Sequence, residues 1–290
     1  MNKSDILRIF KETKNSGGTV ALAVEGGGLR GVVSASMLKI FEDLGLADQV
    51  DAVSGTSAGA INLAYFLNKD MQQGLNLYKK LASSNFIQPF QWPNAMNLNY
   101  LFEEQIPQHF PISWKKLREH KTTFLISVTN TISGQGKFIT AQNTSHEQEL
   151  IKALRASASA PLFTTNKEII SNDLYNDGQV QHSIPVEPLL EKEFDLIFCL
   201  LTRKKGYKKT SNFLSRTITN FALRKYSKEY KYEFSKIPEI YNKSIDKIFN
   251  NHSKKIIPLY LEEEDYIISK MCTNPGDIQK CIQSTLQRFT

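Results

Sequence analysis

The order of apolar and polar positions predicts alternating strands and helices along the first part of the chain. Residues 19–24 form an apolar run of strand length that ends before Glu25, and residues 50–54 form a second run that leads into Gly55. After each run, apolar residues recur at helical spacing, over residues 37–44 and 58–67. Two strand, turn and helix units in succession are typical of a parallel α/β sheet.

The rest of the chain continues this alternation with longer interruptions. We expect strands at residues 124–128, 137–140, 195–201 and 256–261, and helices at residues 146–156 and 277–289. Residues 88–111 contain four prolines, so we expect a loop-rich segment that is either a lid or a surface excursion. Beyond residue 210 the pattern is helical to about residue 250, with a break at Pro238.

Composition is that of an ordinary globular protein. Hydrophobic residues make up 41% of the 290 residues and charged residues 22%, which excludes a chain that is disordered throughout. The three cysteines lack metal-ligand spacing, and we expect a reducing compartment. The first residues lack a secretory signal, and no apolar run approaches the ~18 residues of a membrane span. We therefore expect a protein that is cytoplasmic or peripheral at a membrane surface, and signal-independent export stays open.

Basic residues are concentrated late in the chain. The net charge is +7, and residues 203–231 contain ten Lys or Arg but a single acid, Glu229. Aromatic residues, Phe213 and Phe221 among them, interleave with these charges, so we expect peripheral contact with an anionic membrane. No nucleic-acid-binding motif accompanies the charge, and we expect no nucleic-acid partner.

The same stretch also fits a helix with a buried aromatic face and a solvated basic face. Under this alternative the apolar residues at helical spacing would pack inward. They are Ile218, Ala222, Tyr226, Tyr230, Phe234 and Ile237.

The sharpest local signal is Gly-Thr-Ser-Ala-Gly at residues 55–59, which matches G-x-S-x-G between a predicted strand and a predicted helix. In such a nucleophile elbow Gly55 and Gly59 let the backbone bend, so that the Ser57 hydroxyl projects from the edge of the sheet. The start of the helix also favours developing negative charge. Ser57 is therefore a candidate nucleophile, and the alternative is a glycine-eased turn with an exposed serine.

Three consecutive glycines follow the first predicted strand. Their uncovered backbone N–H groups can converge on an anion at the start of the next helix, as an oxyanion hole requires. The candidate residues of this loop are Gly26, Gly27, Gly28, Leu29 and Arg30, the last of which either steadies the loop or meets a phosphate.

A dinucleotide site is the alternative for this glycine-rich segment. The glycines also satisfy G-x-G-x-x-G, and Asp51 lies about 20 residues beyond them, as a ribose-binding acid would. However, Asp51 stands near the start of the second predicted strand, whereas a ribose-binding acid belongs at its end. The pattern therefore favours the oxyanion hole.

A glycine-rich segment followed by G-x-S-x-G some two dozen residues later resembles the patatin-like phospholipases. The Asp-Gly pair of that family is present as Asp177 and Gly178, with Pro185 downstream. The small residues at 156–161 are similar to those that lead into this block. The resemblance covers residues 20–186 in the order of the family, with two departures: Glu25 replaces the commoner Asp, and Gln179 replaces a small residue.

The resemblance implies a Ser/Asp dyad, in which Ser57 attacks an ester carbonyl and Asp177 accepts the serine proton. It implies a phospholipid or other lipid ester as substrate, a phospholipase A or lysophospholipase reaction, and neither a cofactor nor a metal. Taken alone, Asp177 and Gly178 would be a tight turn. A Ser-Asp-His triad with His182 or His252 as base is the alternative mechanism.

We expect a three-layer α/β/α sandwich with a mostly parallel central sheet and the site at the carboxyl ends of its strands. We expect one domain over residues 1–290, with a core of about residues 17–205 and a helical, basic region of about residues 206–290 packed on it. The alternative function is a non-catalytic lipid- or dinucleotide-binding protein that uses the glycine-rich loop. The sequence predicts no oligomeric state.

Overall fold

A central sheet covered by helices on both faces organises the chain, as described by a computed structural model for residues 1–210, 219, 221–250 and 255–290. The strands are β1 (Val20–Val24), β2 (Ala52–Gly55), β3 (Thr123–Asn130), β4 (Gly136–Thr140), β5 (Glu168–Ile170), β6 (Asp173–Asp177), β7 (Leu196–Lys204) and β8 (Ile256–Leu261). The helices are α1 (Lys3–Asn15), α2 (Val32–Asp43), α3 (Ala58–Asn68), α4 (Met71–Leu81), α5 (Ile106–Gln108), α6 (Trp114–Arg118), α7 (Glu147–Ala158), α8 (Glu187–Glu191), α9 (Lys228–Ser235), α10 (Ile237–Phe249) and α11 (Pro275–Arg288). Short 3-10 turns lie at Gly28–Gly31, Pro89–Gln91, Ala141–Asn143 and Gly178–Val180, and a π-helical segment, Tyr100–Gln105, precedes α5.

The sheet is parallel at its centre and antiparallel at one side. Its order is β5-β6-β3-β2-β1-β7-β8, and β4 also pairs with β3. The five strands from β3 to β8 in this order run parallel, whereas β4, β5 and β6 form antiparallel pairs. The expectation of a mostly parallel α/β sheet is therefore confirmed.

Side chains alternate between the two faces of the central strands, as a sheet buried on both faces requires. In β1, Val20, Leu22 and Val24 pack into one apolar cluster with α2, α3, α4 and α11. Ala21 and Ala23 point to the other face, where a second cluster is formed with α8 and α10. The two clusters join helices to both faces of the sheet, which gives the three layers, helices, sheet and helices, that we expected from the sequence.

The two predicted strand, turn and helix units are confirmed as β1 with α2 and β2 with α3. Gly45 follows α2 with a φ of +72° and ends it, as expected. The predictions missed α1, α4 and the antiparallel pair β5 and β6. Residues 88–111 include short helical turns as well as the predicted loops.

The described part of the region after β7 packs on the rest of the chain at several places. β8 extends the sheet beside β7, α10 covers the second apolar cluster, and α11 packs on α2 and α4. Tyr226, Tyr230 and Phe234 pack with Val180, so these aromatic residues follow the buried-face alternative. Phe221 is exposed and is therefore not part of that buried face.

Of the positions named from the sequence, Phe213, Ile218 and His252 lie outside the described residues.

Across the described part of the chain, no helix has the length and apolar character needed to span a bilayer.

Candidate active site

A sharp turn between β2 and α3 carries Ser57. Its φ of 55° and ψ of −128° lie outside the regions that a non-glycine residue commonly adopts, so the backbone is strained there. The Ser57 N–H donates a hydrogen bond to Ser157 Oγ at 2.8 Å, and the neighbouring Thr56 hydroxyl donates to the His182 carbonyl at 2.6 Å. The predicted strained turn is therefore present and held by residues from distant segments.

The glycine-rich loop after β1 lies directly against this turn. Because Val24 and Gly55 are partners in the parallel register, β1 and β2 end side by side. A Cβ at Gly26 would lie 2.4 Å from the Thr56 carbonyl oxygen and 2.9 Å from Ser57 Cβ, so only glycine permits this approach. Gly59, in the first turn of α3, lies against the Val24 carbonyl.

A second element braces the loop from the other side, where β7 neighbours β1. The Thr202 N–H donates to Glu25 Oε2 at 2.6 Å, and the Thr202 hydroxyl donates to the Gly26 carbonyl at 2.9 Å. Arg30 is buried beside Gly27, and its Nε has no hydrogen-bond partner among the described residues. Thr202 had no signal in the sequence, because it is brought to the loop by strand pairing alone.

Backbone N–H groups of the loop differ in their hydrogen bonding. The Leu29 N–H donates to the Lys270 carbonyl at 3.1 Å and is therefore engaged. Within the described ranges, the N–H groups of Gly26, Gly27 and Gly28 donate to no acceptor. Of the candidate donors predicted from the sequence, the three glycines are accordingly available to an anion, whereas Leu29 is not.

Asp177 ends β6 as a buried carboxylate. Its Oδ1 accepts a hydrogen bond from the Gln179 N–H at 3.0 Å, and its own N–H donates to the Ser159 carbonyl at 3.3 Å. Burial raises the pKa of Asp177 to about 6, although the Gln179 N–H and the charges of Lys209 and Lys270 act in the opposite direction. Gly178 begins a 3-10 helix, so the pair is not the isolated tight turn considered from the sequence.

Ser57 and Asp177 belong to one assembly of strand ends. Gly55 pairs with Ile126 of β3, and Val128 of the same strand pairs with Asp177. The carboxyl end of α7 also touches both, through Ser157 and Ser159. No hydrogen bond joins their side chains directly in the described structure, and catalytic hydrogen bonds are often long until substrate binds.

Two half-buried lysines near this carboxylate were not found from the sequence. Burial lowers the pKa of both Lys209 and Lys270 to about 8, while the charge of Asp177 partly offsets this effect. The Lys209 ammonium donates to Ser183 Oγ at 3.1 Å, and the Lys270 ammonium lies 4.1 Å from the centre of the Phe163 ring. Both lysines come from the region without a recognisable motif, so no local pattern marked them.

An apolar cavity of about 50 Å³ opens beside Ser57. Gly28 and Leu29 line it on the side of the glycine-rich loop. Met96 and Leu98 line it on the side of the segment 88–111, which contains four prolines. Its remaining lining is predominantly apolar and is provided mostly by α3 and α4, so the surface of the cavity suits an apolar group. Met96 is a flexible side chain whose movement would enlarge the cavity.

The geometry of the described residues gives little support to His182 as the base or to Asp51 as a ribose ligand, and it does not test His252. The His182 ring packs on Phe138 with ring centres 4.4 Å apart, and it forms no hydrogen bond with Ser57 among the described residues. Asp51 precedes β2 and accepts a hydrogen bond from the Lys14 ammonium at 2.9 Å, which places it at the edge of the sheet opposite the glycine-rich loop. It is therefore badly placed for a ribose.

Comparison with protein families identifies the chain. A family model described as patatin-like phospholipase matches residues 22–190, which is more than half of the 290 residues. The chain therefore belongs to the patatin-like phospholipase family. The matched span contains the glycine-rich loop, Ser57 and Asp177.

Two individual proteins are similar over different spans. The uncharacterized protein YjjU of Escherichia coli (strain K12) is 25% identical over 177 residues, which are 59% of this chain and 48% of YjjU. The chain thus matches about half the length of that protein. The crystal structure of VipD from Legionella pneumophila superposes with a TM-score of 0.41 and 12% identity, over 94% of this chain and 67% of VipD.

Replacement of Gly26 by alanine tests the close approach of the two turns. The added Cβ overlaps the Thr56 carbonyl, so we expect Gly26→Ala to lower the free energy of unfolding by about 1–3 kcal/mol. Urea unfolding followed by circular dichroism measures the change. The matched variant Gly276→Ala meets only a side-chain oxygen at 3.1 Å and should stay within about 0.5 kcal/mol of the wild type. Equal stabilities for the two variants would contradict the geometry described for this turn.

Replacement of Asp177 by asparagine tests the burial of the carboxylate. A pKa raised from 3.8 to about 6 means that the fold is most stable below pH 4 with respect to this group and loses that stability as the pH rises through 6. Asparagine remains neutral, so above pH 6 Asp177→Asn should be more stable than the wild type by roughly 1–3 kcal/mol, and the difference should vanish near pH 4. Thermal unfolding from pH 4 to 8 measures this.

The control for that experiment is Asp173→Asn, at the exposed start of the same strand. It should show no comparable gain at neutral pH. If Asp177→Asn is no more stable than the wild type at any pH, the carboxylate is not desolvated as described.

Proposed function

We propose that this protein is a lipid acyl hydrolase of the phospholipase A or lysophospholipase type, with Ser57 as nucleophile and Asp177 as its base. The observation that carries the proposal is the packing of the glycine-rich loop against the Ser57 turn, with three glycine N–H groups that have no acceptor among the described residues and an apolar cavity beside Ser57. Membership of the patatin-like phospholipase family supports the same reaction.

In the first step, Ser57 Oγ attacks the carbonyl carbon of the ester. The new C–O bond forms as the hydroxyl proton passes to the Asp177 carboxylate, and the carbonyl oxygen becomes an oxyanion. N–H groups of the glycine-rich loop, drawn from Gly26, Gly27 and Gly28, hydrogen-bond this oxyanion, and one such donor typically lowers the barrier by about 2.7–4 kcal/mol. Collapse of the intermediate breaks the ester C–O bond, and Asp177 returns the proton to the departing alcohol.

In the second step, water releases the acyl group from Ser57. Asp177 accepts a proton from the attacking water, and the same N–H groups hold the second oxyanion. When this intermediate collapses, Asp177 gives the proton back to Ser57 Oγ and the fatty acid leaves. A carboxylate with a pKa of about 6 is a stronger base than an exposed aspartate and is still ionised at neutral pH.

The apolar cavity supports a fatty acyl chain as the group transferred. It begins at Ser57, so an ester carbonyl at the nucleophile would direct its hydrocarbon chain between α3 and α4. Lys209 and Lys270 lie at the polar side of the site and suit the phosphate of a phospholipid head group. The reaction as proposed needs no cofactor or metal, because protons and charge are handled by protein groups.

We further propose that residues 1–290 act as one domain. α9 reaches the base through Asn176, which accepts a hydrogen bond from Tyr230 at 2.8 Å, and Lys209 and Lys270 reach the Asp177 site from the same C-terminal region. This region would therefore be part of the catalytic unit rather than an appended module.

Substitution of the two proposed catalytic residues tests the mechanism. Ser57→Ala and Asp177→Asn should each lower the rate of phospholipid hydrolysis at least about 1,000-fold, because each removes a group that takes part in every step. Release of fatty acid from mixed micelles of phospholipid and detergent measures the rate. Asp173→Asn is the matched control and should keep nearly full activity. Retention of activity by Asp177→Asn, or its loss on His182→Ala, would favour the histidine alternative.

Filling the cavity tests the proposed acyl site. Leu98→Trp places a larger side chain in the cavity, so hydrolysis of long acyl chains should fall relative to that of short chains by about ten-fold or more. Rates with a series of lysophospholipids of increasing chain length measure this ratio. Ile169→Trp, at an exposed position that does not line the cavity, should leave the ratio unchanged. An unaltered chain-length profile in Leu98→Trp would place the acyl chain elsewhere.

A further inference from the structure

An exposed aromatic loop projects beside the apolar cavity. We define the aromatic loop as residues 88–95; its base is closed by hydrogen bonds from the Gln88 N–H to the Ala95 carbonyl and from the Asn97 N–H to the Phe86 carbonyl. Phe86 and Met96, which flank the loop, both line the cavity. The loop and the wall of the cavity are therefore fixed to each other.

The tip of this loop presents large apolar side chains to solvent. Phe90 is fully exposed, and Trp92 is also exposed although its indole N–H is satisfied by the Leu162 carbonyl at 3.0 Å. The Trp92 ring stacks on Phe221, itself exposed, with ring centres 5.5 Å apart. Neighbouring exposed aromatic residues on a soluble surface are unusual and mark an interaction site.

One basic side chain lies against this aromatic group, and two more are close to it in the fold. Arg224 lies over the Phe221 ring at 4.4 Å, and Lys167 lies over the Tyr226 ring at 3.8 Å and is close enough to Lys225 to be affected by its charge. Across the described ranges, none of these three cations forms an ion pair with a carboxylate. Aromatic rings bordered by free cations match the interface of an anionic bilayer, where rings enter the head-group region and cations meet lipid phosphates.

We infer that the aromatic loop, together with Phe221, Arg224, Lys225 and Lys167, docks the protein on an anionic lipid bilayer, with Phe90 and Trp92 as the inserting side chains. The inference deepens the proposed function and rests on it for its purpose, because docking there brings the cavity beside Ser57 close to the lipid surface. Under this inference the aromatic residues of the basic stretch 203–231 have two roles. Phe221 faces lipid, whereas Tyr226 and Tyr230 pack inward.

Vesicle binding of a Ser57→Ala protein tests the docking surface without hydrolysis. Co-sedimentation is measured with vesicles of phosphatidylcholine alone and of phosphatidylcholine mixed with phosphatidylserine. Adding Phe90→Ser should weaken binding to the mixed vesicles by about ten-fold, because the ring contributes apolar burial. Phe90→Trp is the conservative variant and should bind as the parent does. Since Phe90 has no buried contact, neither change should alter the fold.

Charge reversal distinguishes binding through the proposed surface from a general attraction between a basic protein and anionic vesicles. Arg224→Glu with Lys225→Glu should weaken binding to the mixed vesicles by at least about ten-fold. The matched control, Lys115→Glu with Lys121→Glu, changes the net charge equally at the amino edge of the sheet, before β3, and should have little effect.

Three results would overturn the inference: normal binding by Phe90→Ser, equal losses from the two charge reversals, or self-association through Phe90 without vesicle binding in sedimentation velocity. Because binding is read without turnover, these results are distinct from a failure to hydrolyse lipid. Absence of hydrolysis by the wild type would refute the proposed function and leave the binding result standing.

Discussion

The contact between the glycine-rich loop and the Ser57 turn is the constraint on which the site depends. Parallel pairing of β1 with β2 brings Val24 and Gly55 side by side, and the absence of a side chain at Gly26 lets the two turns meet. The same pairing places β7 on the other flank, where Thr202 holds the loop. Sheet register therefore sets the position of Ser57 relative to the N–H groups of the glycine-rich loop.

Electrostatics at the second proposed catalytic residue reflect opposing effects. Burial favours the protonated form of Asp177 and makes the carboxylate a stronger base, while one N–H group and two lysines keep it ionised at neutral pH. The lysines themselves lose charge near pH 8 because they are partly buried. Their support for the ionised carboxylate is therefore strongest between about pH 6 and 8.

Local pattern was enough to predict β1, β2, α2 and α3, because each has an apolar run or helical period of its own. It was insufficient for β5 and β6, since β5 has three residues and β6 is largely polar, so neither shows a strand pattern. The residues of the candidate site likewise include some that local sequence predicts and some that it does not. Ser57 and Asp177 stand in recognisable motifs, whereas Ser157, Thr202 and Lys270 reach the site through tertiary contacts between segments far apart in sequence.

Covalent labelling of Ser57 by a fluorophosphonate, followed by mass spectrometry as a function of pH, tests whether Ser57 and Asp177 act together. We expect one adduct, on the peptide that contains Ser57, forming at a rate that rises through a pKa of about 6 and is strongly reduced in Asp177→Asn. An adduct on another serine, or a rate that is the same in the wild type and in Asp177→Asn, would contradict the claim that these two residues act together.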